Sequence, residues 1–156
     1  MIARGRRSLC VAAAGLLACS SNAQAKPFAI ACTGTAKFTD TGPTQNSVRD
    51  YELPKQIYVI DIQAERVQRA LVPRQEFEDI CFSGGYIDEV DFSPGQIAVH
   101  SEKAGETCDF KVNRLTGSGQ YFSEHDLRTG GYVRIEFNMT CNPTEVPVFD
   151  PSRNRF

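Results

Sequence analysis

Apolar and polar side chains alternate along most of this chain, and that period of two predicts strands. Phe28, Ile30, Cys32, Ala36 and Phe38 share one parity, and Thr33, Thr35 and Lys37 hold the other. Cys108, Phe110 and Val112 alternate with Asp109, Lys111 and Asn113. The clearest run is the last: Val133, Ile135, Phe137, Met139 and Cys141 lie on one face, with Tyr132, Arg134, Glu136, Asn138 and Thr140 on the other. Ile57 to Ile62 is apolar on both parities, which suits a central strand covered on both sides. Arg66 to Val72 reads as the returning strand of a hairpin, with a short helix as the alternative. Val90 and Phe92 lead into the turn Ser93-Pro94-Gly95, and Ile97 and Val99 resume the pattern beyond it. Thr116 to Gly119 supplies another turn before Gln120-Tyr121-Phe122, and Gly130-Gly131 precedes the final strand. Residues 40–56 and 73–84, rich in Gly, Pro and polar side chains, read as long loops.

Consecutive hairpins with one oily face form an antiparallel meander, and a meander must hide that face. The expected fold is therefore all-β, closed into a small barrel or sandwich. Residues 26–142 form its single domain, and residues 143–156, with Pro143, Pro147 and Pro151, form an extended tail pinned by Phe149.

The first 25 residues depart from this pattern. Arg4, Arg6 and Arg7 precede the apolar run Leu9 to Ala18, and Ala23-Gln24-Ala25 offers a small-x-small cleavage site. Such a layout is that of an export signal, cut after Ala25 to give a periplasmic or secreted chain. Leu16-Leu17-Ala18-Cys19 carries the rival reading, a bacterial lipobox with lipid attached at Cys19. Either way the reading is of an exported protein, with a bacterial source favoured by the lipobox-like stretch.

Export changes how the cysteines are read. Of six, four remain beyond residue 25: Cys32, Cys81, Cys108 and Cys141. In an oxidising compartment an even number implies disulfides, and the spacing is too wide for zinc pairs of the C-x-x-C kind. Cys32, Cys108 and Cys141 all fall on apolar parities. Closing the meander sets the first strand beside the last, which pairs Cys32 with Cys141 and leaves Cys81 for Cys108.

Charge narrows the partners. All three basic residues of the leader come from a total of 17, and none of the 19 acids do, so the remainder is acidic by five charges. No basic stripe exists for nucleic acid, and no apolar stretch beyond the leader is long enough to span a bilayer. Glu76, Glu78, Asp79, Asp88, Glu89 and Asp91 gather in one region and read as a solvated face.

Candidate chemistry is sparse. Ser123-Glu124-His125-Asp126 contains the residue types of a hydrolase triad, but triad members meet through the fold rather than along a loop. His100 reads as an exposed strand-end histidine. Acid pairs such as Asp88 with Asp91 have the residue types for general acid–base cleavage of a glycan, but read more simply as surface carboxylates. Arg114 sits on the apolar parity at a hairpin end, where it would cap a barrel mouth or pair with an inward carboxylate such as Asp88. Asn138-Met139-Thr140 matches the N-glycosylation pattern within a strand. Neither H-E-x-x-H nor G-x-S-x-G occurs, and no cofactor or metal motif is present.

The hairpin-rich, cross-linked layout resembles small exported β-proteins of bacterial envelopes, including barrel-shaped inhibitors of lysozyme, although no inhibitor signature can be placed on these residues. The reading is a non-catalytic binding module of the cell envelope, taking a protein, a glycan or a small ligand, with hydrolase inhibition as the concrete version. Two alternatives stand beside it: a small secreted hydrolase using His125 or a carboxylate pair, and a structural accessory subunit of an envelope complex.

Overall fold

The computed structural model describes residues 26–44, 46–81 and 88–149. The leader with its cleavage site, Cys19, Gly84-Gly85 and the last seven residues lie outside these. Nine strands make one antiparallel sheet: β1 (Phe28–Thr41), β2 (Asn46–Asp61), β3 (Arg66–Leu71), β4 (Glu76–Asp79), β5 (Glu89–Asp91), β6 (Gln96–Lys103), β7 (Glu106–Asn113), β8 (Ser118–Asp126) and β9 (Tyr132–Thr144). Their order across the sheet is β4-β3-β2-β1-β9-β8-β7-β6-β5. The first strand thus pairs with the last along their full length, Thr41 with Tyr132 at one end and Ala29 with Thr144 at the other.

The sheet is a half-barrel, and its curl follows from two rings. Tyr58 on β2 and Phe110 on β7 have centroids 4.8 Å apart. Four strand spacings separate β2 from β7 in the sheet, about 19 Å if it were flat. Only a strongly curled sheet brings these rings together. Its concave face carries the core: Ile30, Cys32, Tyr58, Ile60, Val67, Ile97, Val99, Phe110, Val112, Phe137, Met139 and Cys141. These are the side chains of the apolar parity in each strand, so the sequence periodicity is the core.

The seam of the half-barrel lies between β4 and β5, and strand direction explains why. Every ladder is antiparallel. In a sheet of nine alternating strands the two edges must run the same way. To pair β4 with β5 would therefore need a parallel crossover, which takes about a dozen residues or more. Only nine residues, 80–88, connect them. Among the described residues no ladder joins these edges.

Two disulfides reinforce the curl at different places. Cys32–Cys141 links β1 to β9 within a continuous ladder. Cys81, just past β4, joins Cys108 on β7, six strands away in the sheet. The second bond therefore spans the concavity.

Two expected loops are strands. Residues 46–56 belong to β2 and pair with β1 out to Thr41–Asn46. The sequence pattern fails there because of a β-bulge: Cys32 pairs with Gln56 and Gly34 with Leu53, so Pro54 and Lys55 together face Thr33. The extra residue flips the parity of β2 and gives Pro54 a place where its missing N–H breaks no ladder bond. Gly34 is required at this crowded point, because a Cβ there would lie 1.9 Å from the carbonyl oxygen of Asn138. Within residues 73–84, β4 forms an edge strand whose sequence, Glu-Phe-Glu-Asp, is too polar to announce itself.

A second apolar patch lies on the convex face. Ala29, Val59 and Ala70 are almost fully buried, yet they belong to the parity opposite the core. The chain after Thr144 crosses this face and sets Phe149 against Phe77 of β4, ring centroids 4.6 Å apart. Five extended residues reach about 17 Å, close to the four strand spacings between β9 and β4. Arg114 lies over the ring of Phe28 and donates to the Ser93 carbonyl, capping one end of the core. It does not meet Asp88, whose carboxylate instead accepts the backbone N–H of Glu102.

Candidate functional site

Strand alternation decides which polar side chains can act together. His125 pairs in register with Val133 and Ser123 with Ile135, which share the parity of the core residues Phe137 and Met139, so His125 and Ser123 face the concavity. Glu124 and Asp126 therefore face the convex side, and the run Ser123 to Asp126 is split between two surfaces. Glu124 confirms this by bonding Arg134, whose guanidinium also lies over the rings of Phe122 and Tyr132.

The inward side chains meet in a cavity of about 260 Å³ above the core. Tyr58, Tyr121 and Phe137 floor it, and Arg69, Glu78, Ser101, Glu106, Ser123 and His125 supply its polar wall beside the Cys81–Cys108 bond. Tyr121 stacks on Phe137 with centroids 5.0 Å apart. Burial pushes the Tyr58 phenol up to about 12, and burial also raises that of Tyr121, so both stay neutral in ordinary conditions. The Tyr58 hydroxyl reaches the sulfur of Met139 at 3.8 Å.

Two cross-strand polar pairs stand in the wall. His125 Nδ1 lies 2.9 Å from Glu106 Oε1, joining β8 to β7. Arg69 on β3 bonds Glu78 on β4. Its Nε is buried and, among the described residues, has no hydrogen-bond partner. Next to this pair, Arg66 grips Asp79 with two bonds of 2.5 and 2.7 Å, and that grip holds the Asp79 carboxyl below the usual carboxylate range.

The rim beside the cavity, around the turn at Ala104-Gly105, is acidic. Asp88, Glu102, Glu106, Glu124 and Asp126 line an adjoining depression, with Lys103 and His100 as its basic members. His100 lies outside the cavity and pairs across strands with Asp109 at 2.7 Å. Asp88 and Asp91 do not form an acid–base pair in the site. Asp88 holds the β5–β6 hairpin through Glu102, and Asp91 accepts from Ser93 N and Gln96 Nε2 in the following turn. Among the described residues no three His, Cys, Asp or Glu side chains gather as a metal site.

The sequence named His125 and the disulfide cysteines, but not Arg69, Tyr58, Tyr121 or Glu106. Tyr58 and Tyr121 could be sensed as core residues with a polar end. Nothing local marks Arg69, because its inward direction depends on the register of β3 against β2. No family model, no curated protein and no solved structure matches this chain.

Proposed function

We propose that this protein is a non-catalytic binding module of an exported compartment, and that its partner is a basic protein surface that seats one side chain in the concave cavity. The observation that supports this reading is the cavity itself: a concave hollow with an aromatic floor and a polar wall, opening beside an acidic rim. Desolvated aromatic pockets within a charged rim are where binding energy concentrates in protein interfaces. Inhibition of a basic hydrolase such as lysozyme is the concrete version. Export through residues 1–25, or anchoring at Cys19, supplies the setting.

The test is calorimetric titration of the purified protein with lysozyme, alongside a lysozyme turnover assay. Binding that weakens steeply with salt, and weakens further in a Glu102→Gln, Asp126→Gln double variant, supports the proposal. Neither binding nor slowing at a molar excess of ten or more rejects it.

A hydrolase is the second reading, favoured by the His125–Glu106 pair, which has the form of a base and its orienting carboxylate. Against it, Ser123 is engaged by Tyr121 rather than by His125. Hydrolysis of an ester or glycoside that is lost in His125→Ala would establish it.

A further inference from the structure

We infer that Cys81–Cys108 is a redox latch: a dithiol reduces it ahead of Cys32–Cys141, and its opening loosens the cavity while the sheet persists. The two bonds sit in different mechanical settings. Cys32 and Cys141 are opposite each other in a ladder that runs unbroken from Ala29–Thr144 to Thr41–Tyr132. With the bond cut, that ladder still holds the two sulfurs together, so their effective concentration stays high and the bond reforms. Both residues are buried, Cys32 completely.

Cys81 and Cys108 have no such support. The segment carrying Cys81 belongs to the β4 edge, Cys108 lies on β7, and no ladder pairs β4 with β7. β4 is held through four residue pairs with β3. Cys81 also adopts φ 56°, a left-handed conformation that costs a non-glycine residue about 1–2 kcal/mol. That cost is released when the bond opens and the chain relaxes. Both cysteines line the cavity, and although Cys81 is buried Cys108 is only half buried, so a small thiolate approaches from the Cys108 side.

The exchange balances as follows. One thiolate of a dithiol attacks Cys108 Sγ and displaces Cys81 as a thiolate, which takes up a proton. The dithiol's second thiol then attacks its own mixed-disulfide sulfur, releasing Cys108 as the thiolate, and the dithiol leaves as a disulfide after transferring two electrons. Freed of the bond, β4 keeps its ladder to β3 but loses its tie across the concavity. Glu78, Arg69 and the tyrosine floor then become more accessible. The inference does not depend on what occupies the cavity.

The experiment equilibrates the purified protein in graded ratios of reduced to oxidised dithiothreitol. Thiols are trapped with N-ethylmaleimide and mapped by mass spectrometry, with acrylamide quenching of tyrosine fluorescence read in parallel. The expected result is half-labelling of Cys81 and Cys108 at a ratio at least tenfold lower than for Cys32 and Cys141. At that stage the strand signal in circular dichroism is retained and quenching has risen. The Cys81→Ser, Cys108→Ser double variant should show the same raised quenching without reductant. Loss of both bonds at one ratio, or of Cys32–Cys141 first, overturns the inference. So does selective reduction with unchanged quenching, which would leave a labile bond that controls nothing.

Discussion

If the sheet curls as described, Tyr58 and Phe110 should be energetically coupled although 52 positions separate them and β2 and β7 share no ladder. Each ring is almost fully buried, at 1 % exposure. Replacing Phe110 by Leu removes the aromatic partner while keeping an apolar side chain, and should cost about 1–2 kcal/mol. Replacing Tyr58 by Leu also removes the hydroxyl contact to Met139 and should cost somewhat more. The tilted packing at 50° between planes falls among the favourable aromatic geometries, worth about 0.5–1.5 kcal/mol beyond buried area. The double variant should therefore be less destabilised than the sum of the singles by that amount. Urea unfolding of the four proteins, fitted with a common slope, measures it. A coupling energy within about 0.3 kcal/mol of zero would refute the face-to-face approach of β2 and β7, whatever the individual losses.

Other expectations follow from the same contacts. Tyr58 stays protonated up to about pH 12 in the folded chain but ionises near its ordinary value of 10.0 when unfolded. Protons are therefore bound more tightly by the folded state, and stability should fall by about 3 kcal/mol between pH 10 and 12 and be unaffected below. Chemical denaturation across that window should show this slope, and Tyr58→Phe should reduce it, leaving the part that the buried Tyr121 contributes. Gly34→Ala forces a Cβ to 1.9 Å from Asn138 O and should cost more than about 4 kcal/mol, seen as a collapse of the unfolding midpoint. Arg66→Ala breaks a bidentate pair whose arginine is half exposed, so the loss should stay at or below about 1 kcal/mol in thermal unfolding. Phe149→Ala should raise amide exchange in β3 and β4 selectively, since the ring it packs on belongs to β4; unchanged exchange there would detach the tail from this role.

Much of the fold was legible because its core is the sum of its apolar parities. β1, β7 and β9 announce themselves, and the pairing of β1 with β9 follows from a meander needing to hide its face. What escaped was set by register and direction. The bulge opposite Thr33 inverts the parity of β2, so Arg49, Asp50, Glu52 and Pro54 read as loop until β1 is placed beside them. The strand count makes both edges run one way, which moves the seam to β4 and β5. The site was less legible still. The run from Ser123 to Asp126 looks like a cluster in one dimension and is divided by alternation, while Arg69, Glu106 and Tyr121 converge from three strands. Their meeting is a property of the curl, and no short sequence window contains it.

The most direct test of that curl is chemical. Non-reducing proteolysis of the native protein followed by mass mapping should recover two cross-linked products, Cys32 with Cys141 and Cys81 with Cys108, the second requiring β4 to reach β7 across the concave face. Recovery of Cys32 joined to Cys81, or of free thiols at all four positions, would contradict it.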